Sequence, residues 1–162
     1  MQEGTQEWFV AERARALAMV HLTRRDDLVV MNANHGIGLE FLVYINKEKR
    51  EPSVRQFGVF LRGTKSPVTE AHLDRLLRPT MQSVLRNGEF PYPACLLYFS
   101  MDDDQGYYTW VAEPALTEHG LRLLMHEAPH SQKLDPTALD EIVEKVDDWY
   151  DAFFSQIAVH AS

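Results

Sequence analysis

Cysteine is almost missing from this chain. Cys95 is the only one, so no internal disulfide can staple the fold, and its place in the apolar run Ala94–Phe99 marks it as a small buried hydrophobe. No apolar run approaches the ~20 residues that a membrane span needs. A basic-then-apolar leader is lacking too: Gln2, Glu3 and Glu7 precede an amphipathic segment. Internal repeats and low-complexity tracts are absent. These absences point away from a disulfide scaffold, a membrane protein and a repeat array. They predict a cytoplasmic protein whose 162 residues make one domain, 1–162, large enough for a proper core.

A basic field is the next thing missing. The net charge is −8. Residues 1–90 hold 13 of the 16 Lys and Arg and 11 of the 24 Asp and Glu, for a sum of +2. Residues 91–162 hold 3 basic and 13 acidic side chains, for a sum of −10. Phosphate contacts supply most of the affinity for nucleic acid, so any such surface is confined to the first half. There the bases alternate with acids, as in Arg24-Arg25-Asp26-Asp27 and Lys47-Glu48-Lys49-Arg50-Glu51. Nucleic-acid binding is expected to be weak or absent.

What is present reads as alternating helices and strands. Gln6–Leu22 has helical spacing, with Phe9, Ala16, Met19 and Val20 able to share a face. Strands are predicted over Leu28–Met31, Ile37–Ile45 and Val54–Arg62. In the second of these, Leu39, Phe41, Val43 and Ile45 take one side, and Gly38, Glu40, Leu42 and Tyr44 the other. Thr69 opens a helix that runs to Asn87-Gly88 and that Pro79 should kink or split. Ala94–Met101 and Tyr107–Ala112 read as a hairpin, and Thr117–Glu127 is ambiguous. Asp135-Pro136 opens the clearest helix, 135–159, with Asp as N-cap.

Several motif-like strings carry little chemistry. His126-Glu127-Ala128-Pro129-His130 matches H-E-x-x-H, but a zinc protease needs both histidines on one helical turn, and Pro129 breaks that turn. It reads as a helix end followed by a loop. Gly58 to Ser66 departs from a phosphate-binding loop in both spacing and context. Asp102-Asp103-Asp104 reads as a solvated turn, because three consecutive carboxylates point in different directions.

A fuller pattern runs through 6–115. Glu12 lies inside the first helix. Asn34-His35-Gly36-Ile37-Gly38-Leu39-Glu40, Phe60-Leu61-Arg62-Gly63-Thr64, Pro91-Tyr92-Pro93-Ala94-Cys95-Leu96-Leu97 and Tyr108-Thr109-Trp110-Val111 follow in order. This series resembles an uncharacterised bacterial family of PD-(D/E)XK nuclease-like domains, often encoded near defence genes. The resemblance implies an α/β fold with a restriction-endonuclease-like core: a central mixed sheet flanked by helices, with 135–159 added outside it. It also implies a degenerate site. Asn34 and Gly38 stand where such a nuclease carries aspartates, Phe60 where it carries a ligating Glu or Gln, and Arg62 where it carries a lysine that resists deprotonation less. Magnesium chemistry needs carboxylate ligands, so no cofactor or metal and no catalytic residue is expected. The positions Glu12, Asn34, Gly38, Glu40, Phe60 and Arg62 read as vestigial. Glu40 is expected to pair with Arg62 across the hairpin.

The expected function is a pseudo-nuclease used as a binding or regulatory module, in the bacterial or phage defence context that the resemblance implies. It would act through a protein partner or as a homo-oligomer. Trp149, Tyr150, Phe153 and Phe154, with Ile157, form a stripe broader than one packed face and are the expected contact residues. One alternative is an active Mg²⁺-dependent nuclease whose site has moved to Glu12, Glu40 and Lys65. Another is an acidic immunity or inhibitor protein.

Overall fold

A computed structural model describes residues 7–33, 38–46, 54–65, 69–86 and 90–161. Among them, three helices and seven strands make an α/β fold with one mixed sheet. The order along the chain is α1 (Trp8–Leu22), β1 (Leu28–Asn32), β2 (Phe41–Ile45), β3 (Gln56–Thr64), α2 (Glu70–Arg86), β4 (Ala94–Ser100), β5 (Gly106–Thr117), β6 (Gly120–Met125), β7 (Gln132–Lys133) and α3 (Pro136–Ala161). The sheet runs β1-β2-β3-β4-β5-β6, with β7 on β5 beside β6. Only β3 and β4 pair in parallel, and α2 lies in the connection between them, as a parallel crossover requires.

Both faces of the sheet are covered, but unequally. Phe57, Val59, Cys95, Leu97 and Phe99 join α1 and α3 in the larger core cluster. Phe60, Leu96 and Tyr98 join α2 in the smaller one. All seven residues of β4 are buried, which is why that strand reads as a continuous apolar run and not as an alternation. Helix α1 can lie low on the sheet because its inward residues include Ala14 and Ala18, neither of them exposed, and because β3 offers Gly63 beneath them. A Cβ on Gly63 would stand 2.8 Å from Val10 Cγ1 and 3.3 Å from Ala14 Cβ.

Helix α3 departs from the expectation of an appendage. Leu139, Ile142, Val143, Val146, Trp149 and Tyr150 belong to the larger cluster together with α1. Asp135 caps the helix, its Oδ1 accepting from the Ala138 N–H at 2.7 Å. The Tyr150 hydroxyl donates to the Gln56 carbonyl at 2.9 Å, and Trp149 Nε1 donates to the Arg122 carbonyl at 3.1 Å. The helix is thereby tied to β3 and to β6.

Other details differ from the sequence reading. Helix α2 is continuous through Pro79. Proline removes one N–H, whose acceptor would be the Arg75 carbonyl, and Pro79 lies on the exposed side of the helix, where water can replace that donor. The ambiguous segment 117–127 contains strand β6, and β5 runs five residues past its expected end at Ala112, to Thr117. No helix among the described residues is long and apolar enough to cross a membrane.

Gly63→Ala is expected to destabilise the protein by about 1–3 kcal/mol, the usual cost of overpacking. Chemical denaturation would measure this, with the Cys95 thiol as a second probe. Burial pushes that thiol up to about 12, so it should stay unreactive toward a disulfide reagent until the chain unfolds.

Candidate functional site

Of the positions singled out by the nuclease-like pattern, Gly38, Phe60 and Arg62 line one cleft beneath α2, whereas Glu12 and Glu40 lie away from it. Glu12 is exposed on α1, on the opposite side of the helix from Val10 and Ala14. Asn34 lies outside the described residues. Gly38 has φ +86° with open space where a side chain would go. Phe60 is buried and packs on Phe90, ring centroids 5.9 Å apart. Lys65 pairs with Glu7 at 2.6 Å and stands over the Phe9 ring.

The expected Glu40–Arg62 pair is replaced. Glu40 pairs with Arg15 of α1, whose guanidinium also bonds Asn32 and covers the Phe41 ring. Arg62 points to the other face, toward α2. The cause is a break in strand alternation. Leu39 packs in the cluster under α2, whereas Phe41 packs in the cluster under α1 and α3. Glu40 sits at the switch and is carried toward α1, while Gly38 stays at the mouth of the cleft beneath α2. The set Glu12, Glu40 and Lys65 is thus divided among separate contacts. Among the described residues, no three His, Cys, Asp or Glu side chains group as a metal site would require.

Among the concave sites of the described residues, two differ in how their charges are satisfied. The first is a cavity of about 260 Å³ between α3, β5 and the β6–β7 loop. Glu113 stands at its centre. Its carboxylate meets His126 Nε2 at 2.8 Å and, through the other oxygen, Lys145 Nζ. The Tyr108 hydroxyl donates to Gln132 Oε1 at 2.9 Å, and the His130 N–H donates to Thr109 Oγ1 at 2.9 Å. His126 and His130 do meet, ring centroids 6.0 Å apart, but from the end of β6 and the loop beyond it. No helix carries them, so the zinc-protease arrangement is missing for a different reason than the expected helix end. Sequence reasoning could not find this group, because Glu113, His126 and Lys145 share no motif and meet only through the β5–β6 pairing and the crossing of α3.

The second site is a cleft of about 970 Å³ between β3 and α2. Phe60 and Leu76 form part of its wall, Gly38 is at its mouth, and Arg62, His72 and Arg75 face it. Arg62 Nε is buried without a hydrogen-bond partner. Burial lowers the Arg62 pKa from its ordinary value, the direction expected when a cation loses water and gains no anion.

Comparison with family models, with curated proteins and with solved structures finds no match.

Burial pushes the Glu113 carboxyl up, but hydrogen bonds and attraction from Lys145 and His126 outweigh it and hold the pKa below its ordinary value. A carboxylate whose pKa is depressed on folding stabilises the fold above its unfolded value, about 4.3, and that contribution fades as pH falls through the folded value. Glu113→Gln is therefore expected to lower Tm at pH 7 by about 2–4 °C, the effect of ~1 kcal/mol on a domain of this size. The gap between wild type and variant should narrow steadily below pH ~4.5. A gap that is constant from pH 7 to pH 3 would mean that the carboxylate's charge is not what matters.

Proposed function

We propose that this chain is a non-catalytic binding module, built on a degenerate PD-(D/E)XK-like core, that works through a protein partner or self-association. The observation that carries the reading is the overhang of α3. Its apolar stripe holds the core through Trp149 and Tyr150, which are only 8% and 6% exposed, and then continues to Phe153 at 39% and Ile157 at 50%. Trp149 and Tyr150, expected as contact residues, are core residues instead. Phe154 is partly covered and lies beneath Arg55. Phe153 stacks on Trp149 with centroids 5.9 Å apart, and Trp149 shares a shallow hollow with Leu116, which is 61% exposed. Phe153 and Leu116, both exposed, thus lie on either side of Trp149, and Ile157 continues the stripe one turn beyond Phe153, exposed apolar surface of the kind that marks an interface.

Two further observations support a role without catalysis and without nucleic acid. The vestigial positions fall on both faces of the sheet. Among the described cationic side chains, Arg13, Arg15, Arg25, Arg55 and Arg78 are paired with acids, which makes them less available to a phosphate backbone.

Light scattering of the pure chain, or capture of a stoichiometric partner, is expected to show a stable complex. Phe153→Asp should weaken it at least tenfold, ~1.4 kcal/mol or more, with Tm unchanged. Tyr150→Ala should instead cost about 3–5 kcal/mol of stability, as a buried aromatic does. Incubation with Mg²⁺ should leave supercoiled plasmid intact. Plasmid cleavage that vanishes in Glu40→Gln would sink this reading. So would a monomer that binds DNA at nanomolar concentration and loses that affinity in Arg62→Ala.

A further inference from the structure

The cleft between β3 and α2 holds a cation, Arg62, with no acidic partner among the described residues. Arg62 is half-buried near the end of β3, with Phe60, Gly63 and Thr64 of the same strand buried. Its Nε has no partner. None of the described residues lining the cleft is acidic, and two more bases, His72 and Arg75, face the same space. Other partly buried arginines of the fold, such as Arg25 and Arg55, do have acidic partners. Arg13 meets Asp104 at 2.8 Å, Arg25 meets Asp27 at 2.8 Å and Arg55 meets Asp147 at 2.5 Å. A guanidinium nitrogen buried without an acceptor costs the fold, because the lost water is not replaced by a hydrogen bond. Such an arrangement makes physical sense if the acceptor arrives from outside.

We propose that this cleft is a binding site for a small oxyanion ligand, a carboxylate or phosphate carried on an apolar body, with Arg62 as its anchor. The fork of a guanidinium fits the two oxygens of either head group. Arg75, at the α2 side, supplies further positive charge, and His72 brings an imidazole that can hydrogen-bond the head group. Thr80 and Ser83 on α2 bring hydroxyls to the same wall. Phe60 and Leu76 give the remainder an apolar surface, which suits the ligand's body and not a fully polar metabolite. The cleft's volume of about 970 Å³ accommodates a ligand well beyond the head group itself. A compact anion is favoured over a polyanion because the positive charge is local. The chain carries −8 overall, and that field opposes a long run of phosphates while a recessed pocket can still focus attraction on one group.

Binding of three probes to the full chain tests this: phenyl phosphate, 3-phenylpropionate and the neutral benzyl alcohol, each followed by calorimetry and thermal shift. At least one anionic probe should bind and raise Tm, with benzyl alcohol at least about tenfold weaker, and the stronger of the two anions identifies the head group. Arg62→Met should abolish the binding and, without ligand, raise Tm by about 2–4 °C, since it replaces an unpaired cation with an apolar side chain. That opposition of stability and binding is what a merely structural arginine would not give. Arg62→Lys keeps the charge and loses the fork, and should weaken binding about tenfold. Arg75→Ala, at an exposed position, should weaken it at least threefold and decides the matter where Arg62 variants do not fold. Failure of both anions to bind, equal binding of the neutral probe, or a lower Tm in Arg62→Met would overturn the proposal.

Discussion

The parallel pairing of β3 with β4 is the constraint on which the rest of the structure depends. Seven consecutive register partners, from Gly58 with Ala94 to Thr64 with Ser100, form the centre of the sheet. Parallel strands require a crossover, and α2 lies in that connection, on one face. The opposite face must then be covered by other means, because a parallel pair is stable only when buried on both sides. α1 and α3 cover it. Gly63 is the meeting point of these demands: it lies within β3, and its missing side chain is what lets α1 approach.

How far this was legible follows from the range of each interaction. Local signals were readable. The Asp135 cap, the burial of Cys95 and the apolar run of β4 depend on neighbours in sequence, and the structure has each of them. The α/β class and the mixed sheet follow from the same alternation of periods. Which side of the sheet a residue faces was less readable. One break in alternation at Glu40 moved that carboxylate from an expected partner on β3 to Arg15 on α1. Strict period two cannot anticipate such a break. The role of α3 was misread for a related reason. Its apolar stripe was visible, but how much of it the sheet hides depends on where the helix crosses, and that is fixed by Tyr150 reaching Gln56 and Trp149 reaching Arg122.

The uneven charge of the sequence also takes a different meaning in three dimensions. Along the sequence, a first half of +2 and a second half of −10 stand apart. Much of the contrast is internal. Asp140 of α3 meets Arg25, while Asp147 and Asp151 meet Arg55. Across the molecule, Arg13 meets Asp104 in the β4–β5 turn, so that turn is not simply a solvated run of acids. Bases of the first half thus hold acids of the second, along the side where α3 and α1 close over the sheet. Exposed pairs of this kind contribute little stability each, but they fix the register of a long helix that apolar contacts alone would allow to slide.

This pairing gives the two clefts their opposite characters. Around Glu113, a base approaches from each side, and the histidine, lysine and tyrosine contacts draw β5, the β6–β7 loop and α3 together. Such a group behaves as a clasp: its charges already have their counterparts, so an incoming ligand would have to displace them. Around Arg62 the reverse holds. The strand places a guanidinium beneath α2, the described lining adds Arg75 and no acid, and Nε is left without an acceptor. What sets Arg62 apart from the other arginines without an ion pair is that its Nε is buried. The physical cost of that burial is explained most directly by an anion that enters the cleft, since only binding from outside would turn an unfavourable burial into a favourable contact.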